Sequence, residues 1–255
     1  MEQPEDMLPV WYLDRHVMVV SKPAGVPSQE DSTGDDTVLE LAREVLVQRA
    51  GRGEPGISMT PFVAPVHRLD RPVSGAMVIA RTSKAAERLS AMFRGRDVRK
   101  TYLAVCESAP AMEHGRVELH LAKDAGENRV ACSPVPRPGF RDAVTAFRVV
   151  GLRAGKALVA LFPETGRGHQ LRATLAHLGA PIEGDLKYGA SRGLGRFIAL
   201  HALVVEFPHP VGGQPTRVPA PIPRPWLEEF PWLADLLPLR LLPGTCPGPR
   251  DRTAR

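Results

Sequence analysis

At 255 residues, with 43% hydrophobic and 24% charged side chains and a formal charge of +5 from 33 Lys and Arg against 28 Asp and Glu, the chain can bury a sizeable core and is mildly basic. Three scattered cysteines, Cys106, Cys132 and Cys246, exclude a disulfide framework and a zinc site and read as reduced thiols. The acidic residues 1–6 exclude a secretory signal, and no apolar run nears the ~18 residues of a membrane span, so a cytoplasmic protein without membrane contact is expected, and nothing in the sequence requires more than a monomer.

In chain order, apolar runs at 10–13 and 17–20 flank Asp14-Arg15-His16 and predict a hairpin, which Lys22-Pro23-Ala24-Gly25 stops. Val38, Leu41, Ala42, Val45 and Leu46 then recur at helical spacing, with Thr37 and Glu40 as a capping box and Gly51 past the end. A mobile polar loop is expected over 51–61. The chain next reaches His67-Arg68-Leu69-Asp70-Arg71-Pro72-Val73-Ser74-Gly75, followed by a buried strand from Ala76 to Ala80. Thr82 or Ser83 starts a second helix, with Ala85, Ala86, Leu89, Met92 and Phe93 on its apolar face and Gly95 at its end.

Strands are expected at 98–105, 116–121, 143–150 and 157–162, with a Pro/Arg-rich loop at 133–142. A Gly-rich turn at 164–168 opens a helix that Gly179 and Pro181 close; Leu171, Leu175 and Leu178 form its core stripe, and Arg172 lies one turn below His169 on another face. A last strand over 197–207, an extended proline-rich arm over 208–225, at most one short helix over 226–237 and a basic disordered tail complete the reading. So many strands with short connections predict an α+β fold built on a mixed, largely antiparallel sheet flanked by a few helices. The expected organisation is an N-terminal extension over 1–9, one catalytic domain over 10–237 and the tail over 238–255.

Asp70 stands between Arg68 and Arg71 at the lip of the buried strand, where a carboxylate needs cations or donors. The same residues fit a surface turn capped by its aspartate. His169 and His177 are eight residues apart on one helix with no carboxylate beside them, so no metal site is expected. His67 and His201 read as satisfied core or rim histidines. The turn at 166–168, with N–H groups and Arg167 at a helix start, could cradle a phosphate, yet it matches neither the dinucleotide nor the phosphate-loop spacing, so no cofactor is expected. What remains is Asp70, the aromatic hydroxyl in Arg99-Lys100-Thr101-Tyr102, and the helix-borne cation Arg172. Together they could hold a planar base while a carboxylate attacks or deprotonates a sugar or base.

In this arrangement the chain resembles the RluA-type pseudouridine synthases, which isomerise chosen uridines in ribosomal or transfer RNA without a cofactor. The resemblance is carried, in order, by His67-Arg68-Leu69-Asp70 through Ser74-Gly75, by Arg99-Lys100-Thr101-Tyr102-Leu103-Ala104, by Gly166-Arg167-Gly168-His169-Gln170-Leu171-Arg172 running into Gly179 to Asp185 and Tyr188-Gly189, and by Leu200-His201-Ala202 with Phe207, His209 and Pro210. Lys22-Pro23-Ala24-Gly25 also fits, so the likeness spans about residues 10–220.

The resemblance implies a pseudouridine synthase fold with a cleft between two half-sheets. It makes Asp70 the catalytic aspartate, Tyr102 the aromatic that stacks on the flipped uracil and serves as a base, and Arg172 the partner of Asp70. It makes Arg68 the residue that fills the RNA stack, with His67, Arg167, His169 and Leu203 as further substrate contacts. A base inside a helix must be extruded at a cost of roughly a few kcal/mol, which stacking and an inserted cation offset. Isomerisation needs a charged carboxylate, and a guanidinium at salt-bridge distance favours that form. Val73, Gly168 and Thr174 depart from the usual Thr, Thr or Ser, and His, which bears on substrate contacts and loop geometry. No S4-type RNA-binding domain precedes the first strand in this sequence, so the catalytic domain itself is expected to grip RNA, with Lys84, Arg88, Arg94, Arg96, Arg99 and the tail as phosphate contacts. Two other classes fit fewer residues: a non-catalytic RNA-binding module, and a glycoside hydrolase, which needs a second carboxylate beside Asp70.

Overall fold

The computed structural model describes residues 4–30, 34–124 and 129–237. Among these, eleven strands form one sheet in which β1 (Val10–Leu13), β2 (Val17–Lys22), β4 (Ser74–Ala80), β10 (Leu200–Pro208), β5 (Arg99–Cys106), β9 (Lys156–Pro163), β8 (Arg141–Arg153), β6 (His114–Lys123) and β7 (Val130–Ser133) lie side by side. The short strands β3 (Ala64–Pro65) and β11 (Pro215–Pro219) pair with β4 and β10. Every pairing is antiparallel except β4 with β10, where Ser74 faces His201 and Gly75 faces Ala202. The sheet is therefore two antiparallel halves joined along one short parallel seam.

Alternation along β2 and β4 explains why both are apolar over residues 17–20 and 76–80. Met18, Val20, Met77 and Ile79 pack with Val38, Leu41, Val45 and Leu46 of α2 (Val38–Gly51), while Val17, Val19, Ala76 and Val78 pack with Ala85 and Leu89 of α3 (Ser83–Gly95). A strand covered on both faces reads as a continuous hydrophobic run. Both helices start as the sequence indicates. The Thr37 side chain accepts from Glu40 N–H while Glu40 accepts from Thr37 N–H, and Thr82 accepts from Ala85 N–H. Gly51 closes the last turn of α2 from inside, and Arg52 follows as its cap.

The structure departs from the sequence reading at four places. Residues 130–133, inside a segment without alternation, form β7 against β6. The proline-rich arm contains β11, whose terminal prolines are tolerated because the strand pairs only with β10. Residues 224–237 form two short helices, α5 (Arg224–Glu229) and α6 (Leu233–Leu236), separated at Pro231, and Trp226, Phe230 and Leu233 dock them on the core. The expected extension is docked as well. The helix α1 (Pro4–Met7) places Glu5 2.7 Å from Arg49, and Leu8 is fully buried. The tail over 238–255 lies outside the described residues.

The seam is held by two features. Gly75 has φ +118°, and a Cβ there would lie 2.3 Å from the Ala202 carbonyl oxygen. Replacing Gly75 by Ala is expected to cost roughly 3 kcal/mol or more, read as a lowered denaturant midpoint at unchanged m-value. Beside it, Ser74 Oγ lies 2.8 Å from His201 Nδ1, and His201 Nε2 donates to the Ala220 carbonyl at 3.1 Å. Burial pushes the His201 pKa down to about 4, so its imidazole is neutral in the fold. Because that value lies below the ordinary ~6.5, stability is intact above pH 6.5 and falls as the unfolded chain takes up the proton. From pH 7 to pH 5 this histidine alone is expected to remove about 2 kcal/mol, measured by chemical denaturation and reduced in His201→Gln.

Candidate active site

Asp70 sits in the loop that leads into β4, and segment 22–28 clamps that loop from one side. Ser28 Oγ donates to the Leu69 carbonyl at 2.7 Å and accepts from Leu69 N–H at 3.1 Å. Gly25 N–H donates to the Arg71 carbonyl at 2.8 Å, and Arg71 Nε donates to the Gly25 carbonyl at 2.9 Å. Lys22, fully buried at the end of β2, donates Nζ to the Pro23 and Arg71 carbonyls at 2.8 and 3.0 Å. Burial lowers the Lys22 pKa to about 7 against the opposing pull of Asp70. On the far side Val73 N–H closes a turn onto the Asp70 carbonyl at 3.0 Å. The backbone that carries the carboxylate is thus held on both flanks.

The guanidinium facing Asp70 comes from α4 (Gln170–His177). Arg172 Nη1 lies 3.4 Å from Asp70 Oδ2, while Arg71 turns toward Gly25 and pairs with Asp35, and Arg68 is exposed. The stronger partner of Arg172 is Asp185, which sequence reasoning missed. Its two oxygens accept from Nε and Nη2 at 2.7 Å each, and both side chains are buried. Burial works against the Arg172 charge, but Asp185 and Asp70 together push its pKa up. Asp185 is also the nearby second carboxylate, but it is buried and both its oxygens are engaged by Arg172.

His169 caps α4 in a left-handed conformation, φ 54°, and its Nε2 lies 3.8 Å from Asp70 Oδ2. Arg96, the left-handed cap of α3 at φ 67°, lines the same cleft. In the turn before α4, two Arg167 donors are already engaged within the fold. Arg167 N–H donates to Gln170 Oε1 at 3.0 Å and its Nε to the Asp142 carbonyl at 2.9 Å. Gln170, buried, also donates to the Val144 carbonyl and Thr145 Oγ1 and so ties the turn to β8. That glutamine was visible in the sequence, but nothing local shows what it would meet.

Two cavities meet at Asp70. One, of about 550 Å³, is lined by Tyr102, Phe93, Leu200, Arg94, Arg96 and Lys100 among others; this is within the range of about 300–1,000 Å³ usual for small-ligand sites. The other, of about 1040 Å³, runs beneath the β6–β7 arm past Lys123, Arg129, Arg141 and Lys187. Arg68, Asp70, Arg167, His169 and Arg172 line both.

Tyr102 stands on β5, paired with Leu161 of β9 and Ala202 of β10. Burial and the charge of Asp70 push its phenol well above the ordinary range, so it keeps its proton and suits a stacking surface rather than a resident phenolate base. His67 accepts from Val78 N–H at 2.8 Å and stacks on Phe93 with ring centres 4.4 Å apart. Burial lowers its pKa to about 3, which makes it a neutral clip that also walls the first cavity. Leu203, expected at the site, sits at the bulge of β10 and packs into the core; Leu200 is the residue of that strand that reaches the cavity. Of the expected phosphate contacts, Arg94 and Arg96 line the first cavity, whereas Arg88 donates to the Pro210 carbonyl at 2.6 Å.

A carboxylate braced by a buried guanidinium, a neutral tyrosine and cationic rims define a cleft suited to a planar base carried on a polyanion, and comparison with known proteins gives that cleft a family. A family model described as RNA pseudouridylate synthase matches residues 16–177, so the chain belongs to that family, in its RluA-type branch, and is a pseudouridine synthase. It is 38% identical over 247 residues to ribosomal large subunit pseudouridine synthase D of Xanthomonas campestris pv. campestris, covering 86% of this chain and 68% of the relative. It is 32% identical to tRNA pseudouridine synthase C of Yersinia pestis (89% and 92% covered) and 33% identical to the dual-specificity RNA pseudouridine synthase RluA of Escherichia coli K12 (85% and 94% covered). Among solved structures, human RNA pseudouridylate synthase domain containing 1 superposes with a TM-score of 0.68 at 26% identity, covering 90% of this chain and 88% of that one. Human RNA pseudouridylate synthase domain containing 4, at 23% identity, shares the fold with a TM-score of 0.69, covering 87% and 92%.

Proposed function

We propose that this enzyme isomerises one or a few uridines in structured ribosomal or transfer RNA, with Asp70 as the catalytic group and no cofactor. The observation that carries the assignment of roles is Asp70 at the junction of both cavities, facing an Arg172 that Asp185 already holds in place. The extruded uracil enters the first cavity and stacks on Tyr102, while Arg68, on the shared rim, fills the gap left in the RNA stack. Asp70 acts on the extruded nucleotide, still joined to the RNA, as the N1–C1′ bond breaks and the C5–C1′ bond forms; C5 gives up its proton and N1 gains one, so the product is an isomer. Arg172 compensates the carboxylate charge throughout, and because its pairing with Asp185 is fixed, it need not reorganise as that charge changes. Arg94, Arg96 and Lys100 on one side, and the cations along the second cavity on the other, supply phosphate contacts to the flanking strand.

The protein acts as a cytoplasmic monomer on this reading. Pseudouridine mapping across ribosomal and transfer RNA, in cells with and without the gene, is expected to show the loss of one or a few defined sites. An unchanged map would overturn the assignment to these RNAs.

A further inference from the structure

The hydroxyl of Tyr188, in the single turn Leu186–Tyr188 that follows Asp185, touches two groups that the reaction as described does not use. Val130 N–H of β7 donates to it at 2.9 Å, and His169 Nδ1 lies 2.9 Å away on the other side. The Tyr188 ring stands edge-on to His169, and its face carries the Arg172 guanidinium 4.9 Å from the ring centre.

A phenol has one proton to give. With Val130 N–H filling one lone pair of the oxygen, that proton is available to Nδ1 of His169, 2.9 Å away. A neutral imidazole that accepts at Nδ1 carries its own proton on Nε2, the nitrogen 3.8 Å from Asp70 Oδ2. The opposite tautomer would aim a lone pair at the carboxylate. The groups facing His169 are Asp70 and Asp185, which favour its charged form, and Arg172 and Lys187, which oppose it; burial decides for the neutral ring. Burial likewise keeps the proton on Tyr188.

We infer that Tyr188 is a positioning residue that sets the tautomer of His169, so that two hydrogen bonds link the β6–β7 arm to an imidazole whose Nε2–H faces Asp70 across 3.8 Å. The inference rests on the reading of Asp70 as the catalytic group, but its main readout needs no catalysis.

Nitrogen-15 spectra of the histidine-labelled full chain, with the His169 signal assigned by its loss in His169→Gln, are expected to show Nε2 protonated and Nδ1 bare. In Tyr188→Phe, which keeps the ring over Arg172, the signal should shift toward the other tautomer. Single-turnover isomerisation should slow about tenfold while RNA affinity changes less than twofold. In a His169→Gln background, where an amide nitrogen takes the place of Nε2, Tyr188→Phe should add less than a further twofold. A wild-type His169 protonated on Nδ1 overturns the inference, as does a Tyr188→Phe effect of equal size in both backgrounds. Should Tyr188→Phe not fold, a wild-type spectrum with the proton on Nδ1 still overturns the inference. A wild-type spectrum as expected in a protein whose Asp70→Asn variant keeps full activity would instead retain the relay and discard the catalytic reading of Asp70.

Discussion

Asp70→Asn is expected to abolish isomerisation, by at least about 10⁴-fold in single turnover, while leaving the fold and RNA binding intact. The size follows from what the amide lacks: it can neither attack as an anion nor take up a proton at the reacting centre. The silence in stability follows from geometry. Removing one charge of a buried pair is usually destructive because the other is stranded, but Arg172 is held by Asp185 at two contacts of 2.7 Å and touches Asp70 only at 3.4 Å. The loop that carries residue 70 is pinned through Ser28, Gly25 and Lys22 by contacts to backbone, none of which needs the carboxylate. The change in unfolding free energy should stay within about 1 kcal/mol. The check is paired: denaturant titration and RNA affinity against pseudouridine formation. Retained turnover would remove Asp70 from the chemistry.

Asp185→Asn should show the reverse pattern, with stability and activity falling together. Its carboxylate is buried against an equally buried guanidinium, so the amide strands most of the positive charge and leaves Asp70 as its remaining acidic neighbour. A loss of roughly 3–5 kcal/mol is expected in chemical unfolding. Molecules that stay folded should turn over about 10²-fold more slowly, because Arg172 would swing toward Asp70 and pair with it more tightly than catalysis tolerates. Arg172→Lys should not rescue the site, since an ammonium cannot reproduce the two parallel bonds to Asp185. A variant with wild-type stability would mean that the pairing contributes little.

These two results separate what the sequence made legible from what it did not. Asp70 could be singled out because the cost of a charge among apolar residues is a local fact, visible in its neighbours. The start of α2 was readable for the same reason, since Thr37 and Glu40 satisfy one another three residues apart. Asp185 and Tyr188 were quoted as parts of a motif yet given no role. Their partners, Arg172, His169 and Val130, lie 13, 19 and 58 residues away, and only the folded sheet brings them together. Leu203 was misplaced because a bulge between Ala202 and Val204 breaks the alternation that would decide which side of β10 faces the cleft. The strands β7 and β11 were missed because four or five residues with no alternation, or with proline at both ends, carry no period to read.

The place of β10 in the sheet has a consequence for how the protein is made. This strand, residues 200–208, enters between β4 and β5, which precede it by more than ninety residues. Until the ribosome has released it, the nascent chain holds two unfinished half-sheets, each with a raw edge of unpaired amides and carbonyls of the kind that recruits other chains. A polypeptide interrupted anywhere before residue 200 is therefore destined for aggregation or chaperone capture, however complete its cleft-forming motifs are.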